Sequence, residues 1–219
     1  MFEAVIFDWD GTLADTKKVI LLSFHKTLQE NNCDVRDEFI ASRIGIGASE
    51  TFKEILRVAK RPYDDEILKR LVERKSQLEI EYTDQARLFG GAVELLDALQ
   101  GKVKVGLASM NNRSVILHML KELKVEKYFP IILTAESISH SKPDPEIFLK
   151  CAQQLNAKPS KCVVLEDSVF GVKAAKSAGM ACIAVTTGVY KKADLKKECA
   201  DLVVSTLKSK QIAPFILHK

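Results

Sequence analysis

Short apolar runs recur along this chain and are separated by longer segments in which apolar residues return with a helical period. Each run is bounded by polar or turn residues and is apolar nearly throughout, not only at every second position. Strands of this kind are buried on both faces, as in a parallel sheet that is covered by helices. The runs predict strands at residues 4–7, 103–108, 131–134, 162–165, 182–185 and 202–204.

The segments between the later runs have the spacing of amphipathic helices. They predict helices near residues 91–100, 112–123, 144–155 and 169–178. Asp144 and Pro145 are typical of a helix start, as the N-cap and the first helical residue. Strand and helix therefore alternate over most of the chain, which favours an α/β fold with a Rossmann-like, doubly wound parallel sheet. The tail after Lys208 has weak signals and receives no assignment.

The stretch between Leu13 and Phe89 departs from this alternation. Apolar residues recur there at helical spacing near 19–28, 52–58 and 67–78, and we find no convincing strand. A crossover between two neighbouring strands of one sheet is rarely so long. We therefore predict a Rossmann-like core formed by residues 1–15 and 88–219, and an all-helical cap domain formed by residues 16–87, with hinges near 14–17 and 87–91.

The composition limits the classes of binding partner but does not identify a substrate. The net charge of +4 comes from 33 basic and 29 acidic residues that are scattered along the chain, so no nucleic-acid site is indicated. A modest positive excess also suits a small anionic substrate. Five cysteines without a Cys-x-x-Cys pair predict reduced thiols.

Neither a basic and apolar leader nor a membrane-length apolar run is present, so we expect a soluble cytoplasmic protein that does not bind a membrane. No coiled-coil pattern or exposed apolar stripe stands out from the core patterns. A monomer is therefore the prediction for the oligomeric state.

Two aspartates, Asp8 and Asp10, follow the first predicted strand and precede Gly11. Because the chain turns near this glycine, both carboxyl groups can address one point beyond the strand end. One aspartate can attack phosphorus, and the other can protonate the leaving oxygen and later activate a water. A hard divalent cation such as Mg²⁺ would offset the repulsion between carboxylates and phosphate. The alternative is an Asx-rich turn that only ends the strand.

The second predicted strand ends at a group of hydroxyl and amide side chains, among them Ser109 and Asn111. Ligands in open α/β sheets bind beyond the carboxyl ends of the strands. Backbone N–H groups at the start of the following helix favour a phosphate group. The alternative is N-capping of the helix over 112–123 by an Asn or Ser side chain, and the two roles are compatible.

Two further strand ends carry charged residues. Pro143 restricts Lys142 to extended backbone, which makes this lysine either a fixed cation for a phosphate or a solvated surface charge. Glu166 and Asp167 end a buried strand, where adjacent acids are costly unless they bind a cation or cap the next helix. Gly171 weakens the start of that helix by roughly 1 kcal/mol relative to Ala, which close packing or close ligand approach would explain.

In this order the segments resemble the signature motifs of the haloacid dehalogenase superfamily of phosphotransferases. The matching residues are Asp8-Trp9-Asp10-Gly11-Thr12-Leu13, Ser109, Lys142 ahead of Pro143, and Glu166-Asp167 with Gly171. The helical insert resembles the cap of the subgroup that includes phosphoglycolate phosphatases, sugar phosphatases and β-phosphoglucomutase. The dehalogenases of this superfamily lack the second aspartate of the first motif, so Asp10 argues for phosphate chemistry.

The resemblance implies a role for each motif residue. Asp8 would be the nucleophile, Asp10 the general acid/base, and Ser109 and Lys142 would hold the phosphoryl group. Magnesium would be bound by Asp8, the backbone carbonyl of Asp10, and Asp167 with help from Glu166.

We add substrate-binding candidates from the core and the cap. Thr12 and Asn111 belong to the core motifs. Arg43 and Lys53 lie in the cap near the turn at 45–47. The alternative for both cap residues is an exposed charge on a helix face.

The resulting hypothesis is a magnesium-dependent phosphomonoester phosphatase that acts on a small phosphorylated metabolite through an aspartyl-phosphate. A β-phosphoglucomutase-like phosphosugar mutase is the alternative, and a non-catalytic binding module on the same fold is a third reading. Two departures from the sequence pattern of the mutase favour the phosphatase. Ile20 stands where the mutase has a cap histidine, and residues 45–49 offer no arginine for a second phosphate.

Overall fold

Six parallel strands form the central sheet of the computed structural model, which describes residues 1–218. The strands of the sheet lie in the order β5-β4-β1-β6-β7-β8, so the first strand of the chain is central. A separate antiparallel ribbon contains the two remaining strands, β2 and β3. The strands are β1 Ala4–Phe7, β2 Ala14–Asp15, β3 Arg87–Leu88, β4 Lys104–Ala108, β5 Ile131–Leu133, β6 Cys162–Glu166, β7 Ala181–Val185 and β8 Leu202–Val204.

Helices cover the sheet and form the insert. Four helices lie between β2 and β3, and the others lie in the core. In chain order they are α1 Lys17–Glu30, α2 Asp37–Ala41, α3 Ala48–Val58, α4 Asp65–Glu81, α5 Ala92–Leu99, α6 Arg113–Glu122, α7 Glu146–Gln154, α8 Val169–Ser177, α9 Lys192–Lys197 and α10 Ile212–His218. Single 3₁₀ turns occur at Thr83–Gln85, Glu126–Tyr128, Ala135–Ser137 and Pro159–Lys161.

The central strand shows why the apolar runs are continuous. Val5 and Phe7 point into a hydrophobic cluster with α5, α6 and α10, whereas Ala4 and Ile6 point into a second cluster with α7, α8 and α9. All four side chains are fully buried. Because successive strand residues face opposite sides, a strand between two helical layers must be apolar at every position. The prediction of a doubly wound α/β sheet is confirmed.

The helical insert has a hydrophobic core of its own. Its buried side chains come from α1, α2, α3 and α4 and include Phe24 and Phe52, whose ring centroids are 4.7 Å apart. This cluster is separate from the two clusters that flank the sheet. The insert therefore packs as a small helical unit, in the way that the amphipathic spacing predicts.

The expectation that residues 13–89 contain no strand is wrong at the two ends of this stretch. Strands β2 and β3 pair antiparallel, with Ala14 opposite Leu88 and Asp15 opposite Arg87. A two-residue strand is too short to show a period in the sequence. The ribbon joins the insert to the core.

Two local features also differ from expectation. Helix α7 begins at Glu146 with Pro145 as its N-cap, one residue later than predicted, although Asp144 Oδ1 still accepts a hydrogen bond from the Glu146 backbone N–H at 2.9 Å. The unassigned tail contains α10, in which Ile216 is buried and Phe215 stacks on Phe2. All five cysteines are free thiols in the structure. Within residues 1–218, no helix combines the length and the apolar character that crossing a membrane requires.

We expect truncation of Phe52, a central aromatic residue of the hydrophobic cluster in the cap, to destabilise the protein. Phe52→Ala removes a fully buried ring that packs on Phe24, so we expect the free energy of unfolding to fall by about 3–5 kcal/mol. Chemical denaturation monitored by circular dichroism measures this change. Val58→Ala, on the same helix at a position that is 70% exposed, is the control and should change stability by less than about 0.5 kcal/mol.

Candidate active site

The first motif forms a tight turn at the carboxyl end of β1. The Trp9 carbonyl accepts hydrogen bonds from the backbone N–H groups of Thr12, Leu13 and Ala14. Gly11 has a φ of +84°, and a Cβ at this position would lie 2.3 Å from Asp167 Oδ2. Glycine is required here both by the left-handed backbone and by the close approach of the carboxylate. The turn thereby brings the loop after β1 against the loop after β6.

Lys142 lies at the centre of the site and joins two carboxylates. Its Nζ is 2.7 Å from Asp8 Oδ1 and 2.7 Å from Glu166 Oε1. The lysine is 2% exposed, and its ammonium lies 4.8 Å from the centroid of the Phe148 ring. Burial opposes the charge on Lys142, but Asp8 and Glu166 more than offset it and raise the pKa of the ammonium. Lys142 is therefore a fixed, buried cation and not a solvated surface charge.

The Glu166 carboxylate has both oxygens engaged. Oε1 accepts from Lys142, and Oε2 accepts from the backbone N–H groups of Asp167 and Ser168 at 2.9 and 2.8 Å and from Ser168 Oγ at 3.0 Å. A Cβ on Gly171 would lie 1.7 Å from Glu166 Oε1. The glycine early in α8 is thus explained by the approach of this carboxylate, while Ser168 caps the helix through the Gly171 N–H.

Asp167 is surrounded by glycine backbone and one hydroxyl. Thr12 Oγ1 donates to Asp167 Oδ1 at 3.1 Å. A Cβ on Gly188 would lie 1.7 Å from Asp167 Oδ2, on the same oxygen that Gly11 approaches. Thr12 is fully buried and its hydroxyl is committed to Asp167. Its position indicates a role in orienting this carboxylate, in place of the substrate contact that the sequence motif predicts for Thr12.

Three carboxylates converge on one point that suits a divalent cation. Asp8, Glu166 and Asp167 each offer an oxygen, and these atoms lie within 4.8 Å of one another. Burial raises the pKa of Asp8 to about 8, with Lys142 opposing the shift and Glu166 adding to it. Burial and the Glu166 and Asp8 charges also raise the pKa of Asp167. One ammonium does not balance three buried carboxylates, so this donor set fits a hard dication.

Asp10 lies apart from that carboxylate group. Its Oδ1 accepts from Thr16 Oγ1 at 2.7 Å, and its Oδ2 accepts from Asn111 Nδ2 at 3.4 Å and from Ser109 Oγ at 3.5 Å. Burial raises the pKa of Asp10, against the hydrogen bond from Thr16 and the positive charge of Lys75. A carboxyl group with a raised pKa can hold a proton and donate it, as a general acid must.

Ser109 and Asn111 lie where the sequence places them, at the carboxyl end of β4. Ser109 is fully buried, and its Oγ accepts from the Asn111 backbone N–H at 3.1 Å. Helix α6 does not receive the expected Asn or Ser side-chain cap. Its first N–H, that of Arg113, donates instead to the Glu136 carboxylate. The strand-end side chains are therefore free of the capping role that was their alternative.

A cleft lies between these core residues and the cap. Asp8, Asp10 and Asn111 line it on the core side, and cap residues line the opposite side. Arg43 is one of the cap residues, with its Nε 2.9 Å from Glu54 Oε2. Lys53 does not line the cleft and instead forms an ion pair with Glu50 at 2.7 Å. The geometry therefore places Arg43 at the site and leaves the Lys53 prediction without support.

Sequence reasoning missed a buried ion pair on the cap. Lys75 lines the cleft, and its Nζ lies 2.7 Å from Glu79 Oε1. Both residues belong to α4 and lie on the same stripe as Leu71 and Leu78, which are buried. The available signal was two charged residues, spaced i and i+4, on the apolar face of an amphipathic helix.

Comparisons with known proteins agree with this geometry. The family model described as haloacid dehalogenase-like hydrolase matches residues 5–185. A phosphorylated carbohydrates phosphatase from Thermotoga maritima is 31% identical over 180 residues, which cover 81% of this chain and 82% of that protein. The β-phosphoglucomutase of Bacillus subtilis is 30% identical over 192 residues, which cover 85% of this chain and 84% of that protein.

Solved structures are similar over most of the chain. A β-phosphoglucomutase from Clostridium difficile has a TM-score of 0.87 and 29% identity, covering 99% of this chain and 97% of that one. The sequence motifs, the sheet order and the strand-end carboxylates are thus found together with a family match over most of the chain. The chain belongs to the haloacid dehalogenase-like hydrolases.

Proposed function

We propose that this protein is a magnesium-dependent phosphatase of small phosphorylated carbohydrates that works through an aspartyl-phosphate. The observation that carries the proposal is the division of labour between two neighbouring carboxyl groups. Asp8 is fixed by Lys142 at 2.7 Å within the candidate cation site, whereas the Asp10 carboxylate is fixed by Thr16 at 2.7 Å and does not belong to that group of carboxylates. One group suits attack on phosphorus, and the other suits proton transfer to the leaving oxygen.

The reaction has two displacements at phosphorus. In the first, an Asp8 oxygen forms a bond to phosphorus while the bond from phosphorus to the leaving oxygen breaks, and Asp10 gives its proton to that oxygen. In the second, a water attacks the phosphorus of the aspartyl-phosphate, and Asp10 accepts a proton from that water. The bond from phosphorus to Asp8 breaks, which releases inorganic phosphate and restores both carboxyl groups.

The core residues hold the phosphoryl group during both displacements. Lys142 neutralises Asp8 before attack and offers a positive charge to the phosphoryl oxygens. Ser109 presents a buried hydroxyl beside the N-terminal end of α6. Asp8 and Asp167 would hold magnesium with help from Glu166, and the Asp10 backbone carbonyl would be a further ligand. The ion would polarise the phosphoryl oxygens and offset their charge.

The cap supplies the surroundings of the leaving group. Lys75 and Arg43 bring positive charge to the cleft, while Ile20 and Phe24 line it with apolar surface. This mixed polar and apolar lining suits a small polar metabolite. A relative named for phosphorylated carbohydrates supports the same class of substrate for this chain.

A phosphosugar mutase is the second candidate, because relatives named β-phosphoglucomutase are as similar to this chain as those named phosphatases. A mutase must grip a second phosphate on the cap side. Arg43, the cap arginine that lines the cleft, is already paired with Glu54, and Ile20 lines the cleft at the position where a mutase has a histidine. These contacts favour release of phosphate over its return to the sugar.

Loss of the proposed nucleophile tests the mechanism. Asp8→Asn keeps the shape of the side chain but removes the attacking charge, so we expect phosphate release from a panel of sugar phosphates to fall by about a thousandfold or more. A colorimetric phosphate assay with Mg²⁺ measures the rate, and thermal melting checks the fold. Asp34→Asn, in which the wild-type side chain is 88% exposed, is the matched control. Turnover that persists in Asp8→Asn would remove this residue from the role of nucleophile.

The charge balance of the cation site predicts a pH-dependent effect of Mg²⁺ on stability. The raised pKa of Asp8 means that the metal-free fold retains a proton that the unfolded chain releases, so metal-free stability declines as pH rises from about 4 to about 8. Mg²⁺ should therefore raise the melting temperature more at about pH 8 than at about pH 5. Asp167→Asn should weaken the Mg²⁺ effect, and an equal effect at both pH values would contradict the prediction.

The product of β-glucose 1-phosphate separates the phosphatase from the mutase. We expect ³¹P NMR with Mg²⁺ to show inorganic phosphate accumulating in step with substrate loss, because the cleft lacks a free cap arginine for a bisphosphate. Addition of a trace of glucose 1,6-bisphosphate is the control, since it would prime a mutase. Conversion to glucose 6-phosphate with little phosphate release would establish the mutase instead.

A further inference from the structure

Helix α4 carries an ion pair that is buried against the cleft. Lys75 and Glu79 are spaced i and i+4, and their side chains are 5% and 0% exposed. A buried pair of this kind is rarely needed for stability, because apolar residues of similar volume pack as well without the cost of desolvation. The other buried positions on this face of α4 include Leu68, Leu71 and Leu78. The pair therefore calls for an explanation other than packing of the cap.

Glu79 also reaches across to the core. Its Oε1 accepts from Asn111 Nδ2 at 3.4 Å in addition to Lys75 Nζ, and the same amide nitrogen is 3.4 Å from Asp10 Oδ2. Glu79 Oε2 has no hydrogen-bond partner within residues 1–218. A half-satisfied buried carboxylate is costly. This unsatisfied carboxylate lies where the cap contacts Asn111, the neighbour of the proposed general acid Asp10.

Lys75 and Glu79 differ in their access to the cleft. Lys75 is among the residues that line it, together with Asp10 and Asn111, whereas Glu79 is not. Glu79 therefore lies behind Lys75 and Asn111 and acts through them. A lysine side chain has four rotatable bonds, and ordering it costs conformational entropy. An anchor on the ammonium removes this cost before a substrate arrives.

We propose that Glu79 is a positioning residue that fixes the Lys75 ammonium in the cleft beside Asp10, ready to bind the polar leaving group of the substrate. The hydrogen bond from Asn111 to Glu79 links the position of the Lys75 ammonium to the packing of the cap on the core. The role rests on the proposed function, because it concerns the leaving group of the same phosphate ester. In this role Lys75 binds the leaving group. Glu79 does not touch the substrate and only holds Lys75 in position.

Four variants separate positioning from a structural role. Glu79→Gln retains the shape of the side chain and an acceptor for Asn111 but removes the charge that holds Lys75. We expect KM for the best sugar phosphate to rise about tenfold with kcat changed less than about threefold, because the interaction is present in both the bound substrate and the transition state. Lys75→Met should raise KM by a similar factor. Glu73→Gln removes an exposed i, i+4 partner of Lys69 on the same helix and is the matched control.

The double variant, Lys75→Met with Glu79→Gln, decides between the two roles. If Glu79 acts through Lys75, Glu79→Gln should raise KM no further in a Lys75→Met background, since the two effects are not additive. An independent tenfold increase in that background would overturn the proposal. So would a Glu79→Gln protein that melts at a lower temperature but has the KM of the wild type, because the pair would then be structural only.

A second readout does not depend on turnover. Mass spectrometry after brief treatment with a small amine-reactive reagent measures how accessible Lys75 is in each variant. We expect severalfold faster labelling of Lys75 in Glu79→Gln than in the wild type or in Glu73→Gln. Unchanged labelling would contradict the anchoring role whether or not the protein is active. Wild-type protein that hydrolyses none of the esters would contradict the proposed function alone.

Discussion

One buried ammonium holds the site together. Lys142 Nζ lies between Asp8 at the end of β1 and Glu166 at the end of β6, at 2.7 Å from each. Without this cation, two carboxylates would face each other in a buried site, and a phosphate dianion would add to their repulsion. The lysine thereby allows the sheet to present carboxylates at neighbouring strand ends. It makes that edge of the sheet suitable for an anionic substrate.

The close approach of loops completes this arrangement. Gly11, Gly171 and Gly188 each meet a carboxylate oxygen at a distance that leaves no room for a Cβ. At these points the carboxylates pack directly against glycine backbone. Burial in this packing raises the pKa values of Asp8 and Asp167. It also leaves an excess of negative charge, which a dication is suited to offset.

The cap and the core divide the chemistry between them. The core residues lie at the ends of strands that are buried on both faces, so the groups that we propose to act on phosphorus are rigidly placed. The cap has a hydrophobic cluster of its own and is joined to the core by the ribbon of β2 and β3. Its charges, Lys75 and Arg43, face the space that a leaving group would occupy. One core can thereby serve different phosphate esters when the lining of the cap differs.

The sequence alone determined the parallel sheet, the helical insert and the residues at each strand end. It could do so because strands that are buried on both faces are apolar throughout, and because chemistry at strand ends follows them directly in the chain. Tertiary structure decided the contacts between distant segments. It placed Glu79 against Asn111, paired Arg43 with Glu54 and turned Thr12 toward Asp167. A local pattern identifies which face of a helix is buried, but not which charge from another element it meets there.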